Sequence, residues 1–286
     1  MAQGRRPRGA YSTRTGSRSP YLRIHPKSGI RCVQCRSMDR VVEGPCGGGE
    51  KVRIRVDVAA DAPQMAWRDV HGAARGVAYE VLGAADAELA RALHDEGWRG
   101  HRLRPLGVTS PQFRGARRKA GVYTTSRDGS VWFGSPVPEI ASALIRGLTG
   151  RAGLSWGRTR LRVLGFTLDG PAAATPMASP GGSEVVWETA TPVVIKREDR
   201  YLLPGDEGFT ELLEKNLAHK ADVLGLPAPR GVRVLDAGPR RRFEVRGAPR
   251  IGAQVRVALA GEPEALDALR SWGLGLDTVQ GFGWIR

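Results

Sequence analysis

Two side chains fifteen positions apart, Tyr79 and His94, carry the protic chemistry that stands out in this chain. An imidazole titrates near neutrality and can give or take a proton at physiological pH. His94 falls just before Gly97, at the expected end of a helix, where exposed carbonyls favour the imidazolium. That placement suits a general acid or a charge stabiliser, and equally a solvent-facing histidine at a helix end. Tyr79, on the preceding helix, offers a phenol for positioning a reacting group; packing in the core beside Val77 and Val81 is the alternative. His71 is the rival imidazole, read as lying near the start of its helix, where the dipole would lower its pKa and favour a neutral base. His101 could assist His94 or simply be exposed, His219 beside Lys220 reads as a surface residue, and His25 belongs to the N-terminal segment.

Cationic residues form two further groups. Arg114, Arg117, Arg118 and Lys119 cluster in an expected loop between strands, and Arg240, Arg241 and Arg242 mark a hairpin-like turn. Either group could clamp phosphates or be a solvated face. Gly273, Gly275, Gly281 and Gly283 near the C-terminus would let backbone N–H groups approach an anion, or form a purely structural turn. The glycines follow a helix and lead into a strand, the reverse of a dinucleotide fingerprint. Cys32, Cys35 and Cys46 lack a second Cys-x-x-Cys, so a zinc site is not expected, and no metal or cofactor is implied. Absence of cysteine from the body of the chain suits a reducing cytoplasm.

The elements that must position these residues are legible in the hydrophobic pattern. Val52, Ile54, Val56 and Val58 alternate with Arg53, Arg55 and Asp57, as in a half-buried strand. A helix is expected from Trp67 to Val81, broken at Gly83. Asp86 caps the next helix, which Gly97 stops. Strand-like segments fill 101–135, Pro136 and Pro138 open a helix to Leu148, and Leu161 to Leu168 returns as a strand. Strand, helices, strands, helix, strand is the ferredoxin-like βαββαβ plan. Beyond a Gly/Pro/Ala-rich stretch the plan recurs: strands at Val185–Ile195, Val232–Leu235, Phe243–Val245 and Val255–Leu259, helices at 209–217 and from Pro263 to Trp272, and a last strand at Phe282–Ile285. The expected organisation is an α+β chain of two tandem ferredoxin-like domains. Residues 1–50 form a disordered basic arm, 51–169 and 184–286 the two domains, and 170–183 a linker. Met38 offers an alternative start within the arm.

Charge narrows the partner. The chain carries 44 Lys and Arg against 29 Asp and Glu, a net +15. Residues 1–40 hold +9 of this, leaving +6 for the remainder. Such an excess favours a polyanion, because each neutralised phosphate releases condensed counterions. No run of 18 apolar residues exists, so no membrane span is expected, and the N-terminal arginines lack the apolar stretch of a secretory signal.

Four segments, in order along residues 52–286, carry a resemblance. They are AYEVLGAADAELARALHDEG (Ala78–Gly97), VWFGSPVPEIASALIRGL (Val131–Leu148), TPVVIKR (Thr191–Arg197) and GLGLDTVQGFGWIR (Gly273–Arg286). Together they resemble the Cas-six family of CRISPR endoribonucleases, within the RAMP superfamily. Asp277, Thr278, Val279 and Gln280 stand where the family often has Lys, Asn and Ser. The resemblance implies a precursor CRISPR repeat RNA as substrate, and other subunits of an effector complex as possible partners. It puts His94 on the catalytic Leu-His position, Tyr79 on the matching tyrosine, and Arg102 near a catalytic lysine, with Arg99 and Arg104 competing for that place. RNA contacts would fall to Arg99, Arg104, Arg114, Arg117, Arg118, Lys119, Gly275, Gly281 and Gly283. The implied reaction is metal-independent: the RNA's own 2′-hydroxyl attacks the adjacent phosphate. A RAMP subunit that binds RNA without cutting would share the same fold and basic faces.

Overall fold

The alternation of valines and isoleucine from Val52 to Val58 drives one face of a strand into a core, and Ile54, Val56 and Val58 are fully buried. In the computed structural model, which describes residues 22–24, 52–119, 121–169, 177–179 and 182–286, this segment is the second strand of the N-terminal half. In chain order the half comprises β1 (Leu22–Ile24), β2 (Val52–Ala60), β3 (Gln64–Ala66), α1 (Trp67–Gly72), α2 (Ala74–Ala85), α3 (Ala87–Asp95), β4 (Gly107–Val108), β5 (Gln112–Phe113), β6 (Arg118–Lys119), β7 (Val122–Thr124), β8 (Gly129–Ser135), α4 (Pro138–Leu148), β9 (Gly153–Trp156) and β10 (Thr159–Asp169). Its antiparallel sheet runs β1-β10-β2-β8-β4. β2 and β10 register Val56 against Phe166, with an irregularity between Val163 and Gly165. The helices cover one face. α4 crosses α2 so closely that a Cβ at Gly147 would lie 1.9 Å from the Val81 carbonyl oxygen, which only glycine permits.

The C-terminal half comprises β11 (Met177–Ser179), β12 (Gly182–Glu188), β13 (Ile195–Arg197), β14 (Arg200–Leu202), α5 (Phe209–Val223), β15 (Arg230–Ala237), β16 (Arg241–Val245), β17 (Ala248–Gly252), β18 (Val255–Gly261) and α6 (Pro263–Trp272). Its sheet runs β11-β12-β18-β15, with β16–β17 and β13–β14 as separate hairpins. The molecule thus carries two ferredoxin-like halves in tandem. A core of Phe209, Leu213, Leu217, Val257 and Leu269 fills the second.

Several expected elements differ in detail. The helix expected over Trp67–Val81 is two, divided at Ala73, and the second runs through Gly83 to Ala85. The basic loop at 114–119 ends in β6. Phe282–Ile285 does not close the second sheet. It contributes one bridge, Thr189 to Ile285, while β11, from the stretch read as linker, takes the sheet edge beside β12. The final residues are instead held between the halves: Trp284 packs over Gly134, and Arg53 donates to the Ile285 carbonyl (2.6 Å) with its guanidinium 4.6 Å from the Trp284 ring. Tertiary burial, not ladder pairing, fixes this segment. The basic arm and its cysteines lie outside the described residues, except Leu22–Ile24, which pairs with β10.

Candidate active site

The face of α2 is set by Arg75 and Tyr79, four residues apart and therefore neighbours on one side of the helix. Asp86 turns the chain into α3, its Oδ1 accepting from the Leu89 N–H at 2.9 Å. The helix pair brings His94, in the last turn of α3, beside Tyr79, with ring centroids 5.0 Å apart and planes at 77°. Tyr79 is half-buried, and its hydroxyl donates to the Leu93 carbonyl at 3.4 Å. Burial raises the phenol pKa, and the nearby Arg104 and Arg75 oppose that rise only in part. Tyr79 is therefore a neutral hydrogen-bonding group at pH 7. His94 is solvent-exposed, with Nδ1 2.8 Å from Asp95 Oδ1. A carboxylate can only accept, so Nδ1 carries the proton and Nε2 is left for transfer.

The guanidinium at this helix end belongs to Arg104. It donates from Nε to the Leu93 carbonyl (3.0 Å), from Nη2 to that of His94 (2.6 Å) and from Nη1 to that of Arg102 (3.1 Å). Arg102, expected as the catalytic cation, is exposed and contributes its carbonyl, because Arg104 is the side chain that turns back over α3. Arg99 occupies a left-handed turn (φ 50°) and lies 5.2 Å over the Trp98 ring. Arg75 sits 5.7 Å over the Tyr79 ring, and its buried Nε has no hydrogen-bond partner among the described residues. It feels the charges of Arg104, Arg246 and Asp277. Arg246 stands at the two-residue turn of the β16–β17 hairpin, with φ 53° followed by Gly247 at 76°. Three chain segments thus converge on one cationic rim around Tyr79.

His71 lies elsewhere. It falls in the last turn of the short α1 rather than near a helix start, and it is buried between the halves. Nδ1 is 3.2 Å from the Gln280 carbonyl, and the ring stacks on Phe282 (4.3 Å, 10°) and meets Phe243 edge-on (4.4 Å). Burial pushes its pKa down to about 4. The expected lowering holds, but desolvation and not the helix dipole causes it.

The glycine-rich loop packs inward. Gly275, Gly281 and Gly283 are buried. A Cβ at Gly281 (φ 91°) would meet His71 Nδ1 at 2.9 Å, and one at Gly283 (φ 67°) the Leu274 carbonyl oxygen at 1.8 Å. The expected approach of RNA to these glycines is therefore corrected: protein already fills the space they leave. The loop joins the halves, with Thr278 donating to the Leu106 carbonyl and Lys220 to that of Gly273. Burial brings the Lys220 ammonium down to about 7.

Arg114, Arg117, Arg118 and Lys119 are all exposed, as are Arg241 and Arg242 on the neighbouring hairpin. Arg118 lies 4.3 Å over the Trp67 ring, whose other contacts include Phe243 of β16, stacked at 5.3 Å. The two basic hairpins flank the same cleft. His101 and His219 meet edge-on at 6.1 Å, away from Tyr79.

Sequence reasoning missed Asp95, Arg75 and Arg246. The first two had a signal: a carboxylate directly after His94, and an arginine one turn before Tyr79. Arg246 had none, because its place depends on a hairpin reaching across from the other half.

Two ferredoxin-like halves meet at a buried glycine-rich loop. Residues 176–286 match the family model CRISPR associated protein Cas6, C-terminal. Solved structures share the fold. A Cas6-related protein from Pyrococcus furiosus is 18% identical with a TM-score of 0.65, covering 82% of this chain and 98% of that one. A RAMP protein described as binding different RNA substrates is 20% identical, with a TM-score of 0.65 and coverage of 82% and 98%. A Cas6 product complex is 16% identical, with a TM-score of 0.56 and coverage of 83% and 99%. A search of curated proteins by sequence finds no match.

Proposed function

We propose that this protein is an endoribonuclease that binds CRISPR repeat RNA and cleaves precursor crRNA. The observation that carries the reading is His94, exposed at a helix end, oriented by Asp95 and set beside Tyr79 within a cationic rim. RNA supplies its own nucleophile, so the protein needs a base for the 2′-hydroxyl, an acid for the departing 5′-oxygen and positive charge for the phosphorane. His94 Nε2 takes the 2′-hydroxyl proton and returns it to the departing 5′-oxygen, Tyr79 positions the ribose or phosphate, and Arg75 faces the developing charge. Products carry a 2′,3′-cyclic phosphate and a 5′-hydroxyl. The family-model match over residues 176–286 and the likeness to a solved Cas6 product complex support the substrate class.

The test incubates purified protein with repeat RNA and EDTA. Wild type should cut, and His94→Ala should lose about 10²–10⁴ in rate while still binding. A RAMP subunit that holds RNA without cutting is the second reading. It is favoured by the Tyr79 hydroxyl, which is engaged with the Leu93 carbonyl. Binding without any cleavage by wild type would decide for it.

A further inference from the structure

A cavity of about 290 Å³ opens between the halves, lined by Trp67, His71, Ser110, Phe113, Tyr123 and Phe243, with Gln254 and Arg241 at its edges. Its walls are aromatic. Trp67 stacks on Phe243 at 5.3 Å, and Tyr123 meets Trp67 edge-on at 6.1 Å. The volume sits at the lower limit of about 300 Å³ for small-ligand clefts, the scale of one planar ring system.

The polar groups in it are incompletely used. Ser110, on the cavity wall, is only 7% exposed. The buried Trp67 Nε1–H has no acceptor among the described residues. Buried polar groups without partners are uncommon and call for an explanation. His71 donates from Nδ1 to the Gln280 carbonyl, so its Nε2 is an acceptor. Cations border the opening, with Arg118 over the Trp67 face and Arg241 exposed on β16. β16 and the turn after it lead from Phe243 at the cavity to Arg246, whose charge Arg75 feels, three residues or about 10 Å at strand rise.

We propose that this cavity receives one unpaired nucleobase of the bound RNA, stacked among Trp67, Tyr123 and Phe243, while Arg118 and Arg241 hold the flanking phosphates. The His71 acceptor and the Ser110 hydroxyl face the base edge and favour an exocyclic amine, as in adenine or cytosine. Aromatic platforms tolerate any base, so the edge groups supply the preference. The proposal rests on the RNA-binding reading and adds a base-reading subsite to it, separate from the Tyr79–His94 centre.

The test binds short poly-A, poly-C and poly-U RNAs to the full chain, measures affinity, and maps ultraviolet cross-links by mass spectrometry. Expected are cross-links to Trp67, Tyr123 or Phe243 and a preference of about fivefold for poly-A and poly-C over poly-U, the scale of one edge hydrogen bond. Ser110→Val should erode that preference. Arg118→Ala and Arg241→Ala, at exposed positions, should weaken all three RNAs together. Cross-links to the exposed Arg and Lys side chains of the two hairpins but to none of Trp67, Tyr123 and Phe243, with equal affinities, would overturn the subsite and leave the RNA-binding reading standing. No binding to any RNA, repeat RNA included, would remove both.

Discussion

His94 presents its imidazole to the ring of Tyr79 at 5.0 Å and 77°, although the two residues belong to different helices. The contact exists because Asp86 ends α2 and caps α3 in one residue, folding the helices back on each other. Tyr79 therefore has two separable roles, a ring that supports His94 and a hydroxyl that can reach a phosphate. Tyr79→Phe keeps the ring and should lower single-turnover cleavage by about tenfold or less, with melting temperature unchanged. Tyr79→Ala removes both and should cost more activity, together with about 2–3 kcal/mol of stability from the half-buried site. Wild-type activity in Tyr79→Phe would show that the hydroxyl has no part in the reaction.

Arg75 and Arg104 stand near the same tyrosine but differ in what holds them. Arg104 donates to the carbonyls of Leu93, Arg102 and His94, so it closes the open end of α3. Arg75 has no such bonds, and its charge is available to an incoming phosphate. Arg104→Ala should lower stability by about 1–2 kcal/mol, measured by denaturant midpoint. Arg75→Ala should leave the midpoint alone and reduce kcat by roughly tenfold to a hundredfold. The reverse pattern would exchange their roles.

How far these sites were legible follows from how local their causes are. The strand from Val52 to Val58, the Asp86 cap, the Gly97 stop and the Pro263 helix start are all written within a few residues, and each is found where the pattern puts it. The division of α1 from α2 falls at Ala73, directly after Gly72, where His71 packs against Phe282 from the other half. The glycine-rich segment reads as a ligand loop or a structural turn until its neighbours are known, and Val193, Val194 and His71 come from distant parts of the chain. Arg102 and Arg104 differ only in which way an irregular stretch faces, which no periodicity records.

The exposed cluster Arg114, Arg117, Arg118 and Lys119 makes one ion pair among the described residues, Arg114 with Asp128 at 3.9 Å. Long exposed pairs of this kind contribute little to stability. Replacing all four by alanine should leave folding intact and weaken RNA binding without base preference. The dependence of log K on log salt should flatten by roughly 0.7–0.9 for each lost phosphate contact. An unchanged salt slope would place the RNA on another face.

His71 makes the stability of the molecule sensitive to acid. Its folded pKa is about 4, against an ordinary 6.5, because burial between the halves disfavours the imidazolium. Above pH 6.5 the ring is neutral in both states and costs nothing. As pH falls from 6.5 towards 4 the unfolded chain takes up a proton that the folded chain refuses, so stability declines through that window and levels off below it. The largest loss is about 3 kcal/mol from this group. His71→Phe keeps a planar ring against Phe243 and Phe282 but cannot titrate, and it leaves the Gln280 carbonyl without its donor. The variant should therefore be the less stable protein at pH 7.5 by about 1 kcal/mol. That gap should close or reverse by pH 4.5, because carboxylates elsewhere affect both proteins alike. Urea midpoints measured across this range would settle it: two parallel curves would mean that the buried imidazole is not the group that titrates.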